Sequence, residues 1–461
     1  MSLRIGPPAR MNDTLLLANC MLIATMDDDR REIERGSILI RGNAIEAIGS
    51  AESLAATADR VVDLSHHVVL PGLVSTHHHM FQSLTRVLPA GQDSELFDWL
   101  AAHYPIWCRL TPEMIRVSAS TAMAELMLSG CTTATDHLYL YPNGIRIDDE
   151  IEAARAIGIR FEAARGGMSM GVSKGGLPPD RLTEAEPAIL RAMQDAIDAF
   201  HDSSRFSMLR ISLAPCSPFT VTPALMKESA SLARSRGVRM HTHLAENDKD
   251  VAFSREKFGM DPVEYAESLG WLGPDVWHAH CVHLDSHGIG AFAATRTGVA
   301  HCPTSNMRLA SGIAPVMAMR AAGVRVGLGV DGSASNDGGH LLGEARQCML
   351  LQRVRHGPAA MSARSALEIA TRGGADVLGR DDIGRIAPGC AADIVAFDLD
   401  DIGYAGEHDP LAALLFCAPM RADFSVINGR VVVENGALAT IDVDELARSH
   451  RRLARRLVNG D

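Results

Sequence analysis

The chain has 461 residues, 47% of them hydrophobic and 22% charged, with a formal net charge of −12. A chain of that length divides into two or three domains or is dominated by one large α/β barrel. The negative balance argues against nucleic acid or an anionic membrane as a partner and suits a small neutral or weakly charged substrate. Nine cysteines, among them Cys20, Cys108, Cys131, Cys216, Cys281 and Cys302, are scattered without a CxxC pair. Neither a disulfide framework nor a cysteine-ligated zinc is therefore indicated, and a reducing cytoplasm is the expected compartment. No apolar run approaches membrane-spanning length, the N-terminus lacks the order of a signal peptide, and residues 1–10 read as a disordered leader.

Residues 14–70 have a β texture, with LLLANCMLIATM, SILIRGNAIEAIG and RVVDLSHHVVLPG separated by turn residues, and RGN marks a hairpin. The same texture returns in ADIVAFDLD and in DFSVINGRVVVENG. Neither piece can bury a core alone. The expectation is a composite β-sandwich from residues 11–70 and 381–440, a (β/α)8 barrel inserted over 71–380, and a helical tail over 441–461. The predicted barrel strands are a run ending at His79, CTTATDHLYL ending near His137, IGIRFEAARGG, MLRISLAPCSP, VRMHTHLAE, DVWHAHCVHL, GVAHCPTSN and VRVGLGVDGSASND. Segments between them, such as 111–130, carry apolar residues at helical spacing and open with a Thr-Pro cap. Each polar cluster falls at the C-terminal end of its strand, where barrel enzymes build their sites.

In extended backbone, positions i and i+2 face the same way, so His77 and His79 can grip one ion while His78 points away. His241 and His243 share a face of strand 5, with Glu246 three residues on. His278 and His280 alternate likewise on strand 6, with His283 further out, and strand 8 ends in Asp331. A zinc that keeps a position open for water takes three or four N/O ligands, and His77, His79, His243 and Asp331 supply them. A histidine-rich polar loop without metal is the plainer alternative for the first cluster.

In this order and spacing, PGLVSTHHH, HTHLAE, HAHCVH, HCPTSNMRLASGIAP and VGLGVDGSASND resemble the amidohydrolase superfamily, specifically the branch of guanine deaminases, adenosylhomocysteine-type deaminases and s-triazine hydrolases. The resemblance spans nearly the whole chain, and HHHMFQSLTR is most similar to bacterial 8-oxoguanine deaminases. It implies one metal ion per subunit, zinc with iron as the alternative, on His77, His79, His243 and Asp331. Binuclear relatives bridge two ions through a carbamylated lysine on strand 4, and this strand 4 has none. Zinc brings the pKa of its water toward about 7, and Asp331 is implied as the base that takes the proton. Glu246 is implied as the proton shuttle to the ring nitrogen, and His280 as the group that orients the nucleophile and stabilises the adduct. A homodimer or larger assembly is implied as well.

Substrate contacts are expected from Gln82, whose amide suits a purine edge, and from Trp99 and Trp107 on a loop after strand 1. Cys216 is a further expected contact. With Ser217 it stands where guanine deaminases carry an arginine-phenylalanine pair, a departure that counts against plain guanine. Asn306 and Asp337 are expected to organise loops 7 and 8, His137 and His301 to be structural, and His66, His67, His201 and His356 to lie at the surface. The expected reaction is hydrolytic deamination of 8-oxoguanine to urate and ammonia. The alternatives are other aminopurine or pterin deaminations, an s-triazine amino- or chlorohydrolase, opening of an imidazolone ring, and a non-catalytic binding protein on the same fold. The other zinc-deaminase architecture is excluded because Pro215-Cys216 is followed by Ser-Pro-Phe instead of a second cysteine at the required spacing.

Overall fold

The computed structural model describes residues 13–54, 58–417 and 419–460, so the expected leader lies outside the described residues. Eight parallel strands close into a barrel: β1 Leu73–Ser75, β2 Cys131–Leu138, β3 Arg160–Gly167, β4 Leu209–Pro215, β5 Arg239–Leu244, β6 Val276–His280, β7 Gly298–His301 and β8 Arg325–Leu328. Their side chains are almost uniformly buried, as strands with a filled interior on one face and helices on the other must be. The helix after β1 that carries the Thr-Pro signal runs Pro112–Leu128, and the Thr111 hydroxyl accepts from the Met114 amide at 3.4 Å.

The two chain ends meet in one continuous sheet of nine strands, a β-sandwich-like unit beside the barrel. Five strands come from residues 14–71 and four from 394–438, and the join is made where His67–Pro71 pairs antiparallel with Ile394–Asp398. The Asn428-Gly429 hairpin has φ of 50° and 81°, the paired left-handed conformation that makes Asn-Gly the favoured two-residue turn. Three features depart from expectation, one being that β8 stops at Leu328, short of Asp331. Strand β1 stops at Ser75, short of His79, and the segment bearing Trp99 and Trp107 is a helix, Leu96–Trp107, where a loop was expected. Glu95 starts that helix without a side-chain cap, so no cap residue marked it in the sequence.

A buried ion pair ties the barrel floor to the sheet. Arg160, first residue of β3, makes a fork to Asp393 at 2.8 and 2.9 Å, and its remaining nitrogen donates to the Phe206 and Ser207 carbonyls, both at 2.7 Å. Both side chains are 1% exposed, so every charge there depends on its partner. A second buried polar joint holds β2 to the segment after β1, where the Asp136 carboxylate accepts from the Met80 amide at 2.7 Å. Asp136 faces Glu150 on the Asp148–Ile157 helix. Burial raises the Asp136 carboxyl to about 6 and Glu150 well above its ordinary value, Glu150 being raised further by Asp136 itself.

The Arg160 joint predicts that Asp393→Asn, which strands a buried guanidinium, costs about 3–5 kcal/mol in urea unfolding. The Asp136–Glu150 pair predicts a pH dependence. Both folded values lie above the ordinary range, so the pair's contribution is whole below about pH 4 and is lost as pH rises through about 6 and beyond. The urea midpoint should therefore fall between about pH 5 and about pH 8, and Glu150→Gln should flatten that fall.

Candidate metal centre and active site

Beyond Ser75 the chain stays extended between its two neighbours: the His77 carbonyl accepts from the Asp331 amide at 3.3 Å and the His78 carbonyl from the His137 amide at 2.8 Å. Side-chain alternation therefore persists past the end of β1, and His77 and His79 face the barrel axis together. His78 turns away, its Nδ1 accepting from the His79 amide at 2.8 Å.

Hydrogen bonds on the far side of each imidazole decide where its free lone pair points. His79 Nδ1 donates to the His137 carbonyl at 2.8 Å, and His243 Nδ1 donates to the Cys216 carbonyl at 2.6 Å. His241 Nδ1 donates to the Trp277 carbonyl at 3.0 Å, which leaves His241 Nε2 to accept from His77 Nδ1 at 2.7 Å. The Nε2 atoms of His77, His79 and His243 thus carry lone pairs. Burial lowers the pKa of each imidazole, His243 to about 3, so the rings are neutral.

Those lone pairs converge. His79 and His243 bring their Nε2 atoms to 3.0 Å, and Asp331 Oδ1 lies 3.3 Å from His77 Nε2 and 3.5 Å from His79 Nε2. Ligand atoms around a tetrahedral zinc with bonds of about 2.0–2.2 Å stand about 3.3–3.6 Å apart. Two facing lone pairs at 3.0 Å repel unless a cation sits between them, so this donor set fits a metal ion. The Nδ1 of His137 has no partner and also faces the cluster.

Glu246 and His280 stand beside it. Glu246 Oε2 is 3.5 Å from His280 Nε2, which is 3.9 Å from Asp331 Oδ2. His280 Nδ1 donates to Asn306 Oδ1 at 2.9 Å, leaving Nε2 to face the carboxylates. Burial pushes the Glu246 carboxyl up to about 7, partly opposed by His280. Asp331 goes the other way: burial would raise it, but the neighbouring His77 and the charge of His280 hold it well below the ordinary range. Burial opposes charge on His280 too, yet Glu246 and Asp331 outweigh it and its pKa is raised. The two carboxyl groups are thereby separated into one that can carry a proton and one that stays ionised. Asp331, His280, Cys281 and Ala245 all have φ between 50° and 70°, a conformation unfavourable to residues with a Cβ, and they cluster at the site.

A pocket opens over these groups, walled by Leu96, Trp99, Leu100, Tyr104, Tyr139, Phe219 and Leu309, with Gln82, Cys216, Ser217 and Ser335 as further lining. Gln82 is 2% exposed and its Oε1 is without a partner. Gly332 makes room for that amide, since a Cβ there would lie 1.8 Å from Oε1. Trp99 lines the pocket and donates to the Ala334 carbonyl at 3.1 Å. Trp107 does not line it; it packs behind, donating to the Thr85 hydroxyl at 3.2 Å.

Asp337 joins loops by accepting from the Val87 amide at 2.9 Å and from Arg308 at 3.1 Å. His301 is buried at the end of β7, and His283 reaches the Ser311 carbonyl at 3.0 Å. His278 points outward to the Trp271 carbonyl at 2.9 Å. His66 and His356 are exposed, whereas His67 and His201 are half-buried: His67 bonds Asp423 at 3.0 Å, and His201 accepts from the Ile211 amide at 3.1 Å. Sequence reasoning missed Tyr139, Tyr104, Ser335 and the support that His241 gives His77. Tyr139 was accessible in principle, since it stands two residues after His137 and so on the same side.

A family model for the amidohydrolase family matches residues 68–436. The chain is 45% identical to an 8-oxoguanine deaminase of Pseudomonas aeruginosa over 92% of this chain and 95% of that one. It is 39% identical to a hydroxydechloroatrazine ethylaminohydrolase of Pseudomonas sp. strain ADP over 87% of this chain and 85% of that one. Among solved structures, the atrazine chlorohydrolase of Arthrobacter aurescens TC1 with zinc superposes with a TM-score of 0.90 at 34% identity, covering 95% of this chain and 100% of the other. Among the described residues no helix is long and apolar enough to cross a membrane. The chain is a hydrolase that belongs to the amidohydrolase family.

Proposed function

We propose that the enzyme deaminates a purine-like heterocycle, with 8-oxoguanine as its substrate and urate and ammonia as products. The observation that carries the reaction class is the pairing of a protonatable Glu246 with His280 3.5 Å away, both beside the ionised ligand Asp331. A zinc ion on His77, His79, His243 and Asp331 supplies, when bound, an acidified water as nucleophile.

Replacing a ring amino group by oxygen needs three proton movements, and the chain holds a group for each. Asp331, held ionised, takes the proton released by the attacking water. Glu246, with a pKa near the working pH, donates to the ring nitrogen beside the attacked carbon; the proton held by Asp331 then goes to the departing amine, and Glu246 recovers its own from the adduct's hydroxyl as the carbonyl forms. His280 presents Nε2 to the oxygen that gains negative charge, while its Nδ1 stays tied to Asn306. The aromatic wall suits a flat ring, and the unpartnered Gln82 Oε1 accepts from a ring N–H. Support for 8-oxoguanine over other heterocycles comes from the similarity to the Pseudomonas aeruginosa 8-oxoguanine deaminase and from Cys216-Ser217 standing where guanine deaminases carry arginine and phenylalanine.

Ammonia release from 8-oxoguanine and guanine, measured side by side with zinc-loaded protein at neutral pH, tests the substrate. Strong preference for 8-oxoguanine is expected; preference for guanine would overturn it, and activity on neither would move the substrate toward s-triazines. Glu246→Gln should keep its zinc and lose turnover by about 10²–10⁴-fold, and near-normal turnover would remove Glu246 from the mechanism. His243→Ala should lose zinc as measured by atomic emission, because it deletes one of the four converging ligand atoms.

A further inference from the structure

The turn that carries Gln82 is a short 3-10 helix, Met80–Thr85, and its six side chains are all buried. Such a turn has little internal hydrogen bonding of its own, so its position depends on what holds it from outside. Three tethers do so. The Asp136 carboxylate fixes the Met80 amide at 2.7 Å. The Thr85 hydroxyl donates to the Gln82 carbonyl at 3.2 Å and is itself held by Trp107 Nε1 at 3.2 Å. The third tether comes from the far end of the sequence: His450, on the helix Val443–Asn459, meets the Ser83 hydroxyl at 3.1 Å.

That third contact has a definite direction. Ser83 Oγ donates its one proton to the Ser118 carbonyl at 3.3 Å, so it can only accept from His450, whose Nε2 carries the hydrogen. Burial, with Arg86 and Arg451 nearby, lowers the His450 pKa to about 4, so the ring is neutral. The helix that carries it is firmly seated. Leu453 and Leu457 are buried in the same apolar cluster as Phe81, Leu84, Trp99 and Trp107. Arg109 donates to the Leu457 and Val458 carbonyls at 2.9 and 3.2 Å, closing the helix C-terminus onto the region beside the pocket.

We infer that the C-terminal helix is part of the substrate site, and that His450 is a positioning residue which, through Ser83, sets where the Gln82 amide stands in the pocket. The inference rests on the reading of Gln82 as a substrate contact. His450 touches neither the metal ligands nor the pocket, so its loss should weaken substrate binding without touching the chemistry.

The test uses full-length, zinc-loaded protein and 8-oxoguanine. His450→Leu keeps volume but removes the donor; His450→Gln puts an amide nitrogen where Nε2 stood. Leucine should raise KM about five- to tenfold with kcat within about twofold, leaving zinc content and melting temperature unchanged, and glutamine should restore KM. Ser83→Ala, which also deletes the bond to the Ser118 carbonyl, should raise KM at least as far as leucine does, and adding His450→Leu to it should raise KM no further, because the His450 contact is already gone. If His450→Leu does not fold, Ser83→Ala with the glutamine variant carries the same comparison. Gln82→Ala separates the two readings. A raised KM in Gln82→Ala with normal KM in His450→Leu and Ser83→Ala overturns the brace. A normal KM in Gln82→Ala overturns the substrate-contact reading, and the brace with it, as does absence of ammonia release by the unaltered protein.

Discussion

Everything at the centre of this barrel depends on where three imidazole lone pairs point. A histidine has two ring nitrogens, and only the hydrogen bond made by one decides what the other offers. Here the deciding acceptors are the backbone carbonyls of His137, Cys216 and, through His241, Trp277. Backbone carbonyls of barrel strands cannot move without disturbing the ladder. The geometry of this donor set is therefore fixed by the barrel's register more than by the histidines themselves.

The same register imposes a conformational cost at the site. Asp331, just beyond β8, and His280, at the end of β6, sit with φ of 61° and 70°, and Cys281 and Ala245 share that conformation. The surrounding fold holds them there, because the Asp331 amide is tied to the His77 carbonyl and the Cys281 amide to the Leu244 carbonyl. What this secures is a carboxylate and an imidazole turned inward toward Glu246 from different strands. Burial then does the rest, raising Glu246 while the imidazoles beside Asp331 keep that carboxylate ionised.

Around this centre the chain uses distant segments as supports. The Leu96–Trp107 helix and the C-terminal helix share one apolar cluster, and the Met80–Thr85 turn lies against it. Arg160 and Asp393 join the opposite end of the barrel to the sheet made by both chain termini. Residues far apart in sequence therefore act on one pocket.

The sequence by itself determined the barrel, the two-ended sheet and the inward-facing histidines, because period-two alternation and strand-end polar clusters are local properties of extended chain. The convergence of His77, His79, His243 and Asp331, with Glu246 beside them, was legible for that reason, whereas His280 turns inward through its φ of 70° while His278, two residues earlier, points outward. Only the tertiary structure decided the length of β1, the helix that bears Trp99, and Trp107's place behind the pocket, because these follow from packing between segments and carry no cap or periodic signal of their own. It alone decided the tautomers as well. Which ring nitrogen of His77 or His280 is free depends on His241 and Asn306, residues brought near by barrel closure across 164 and 26 positions of sequence.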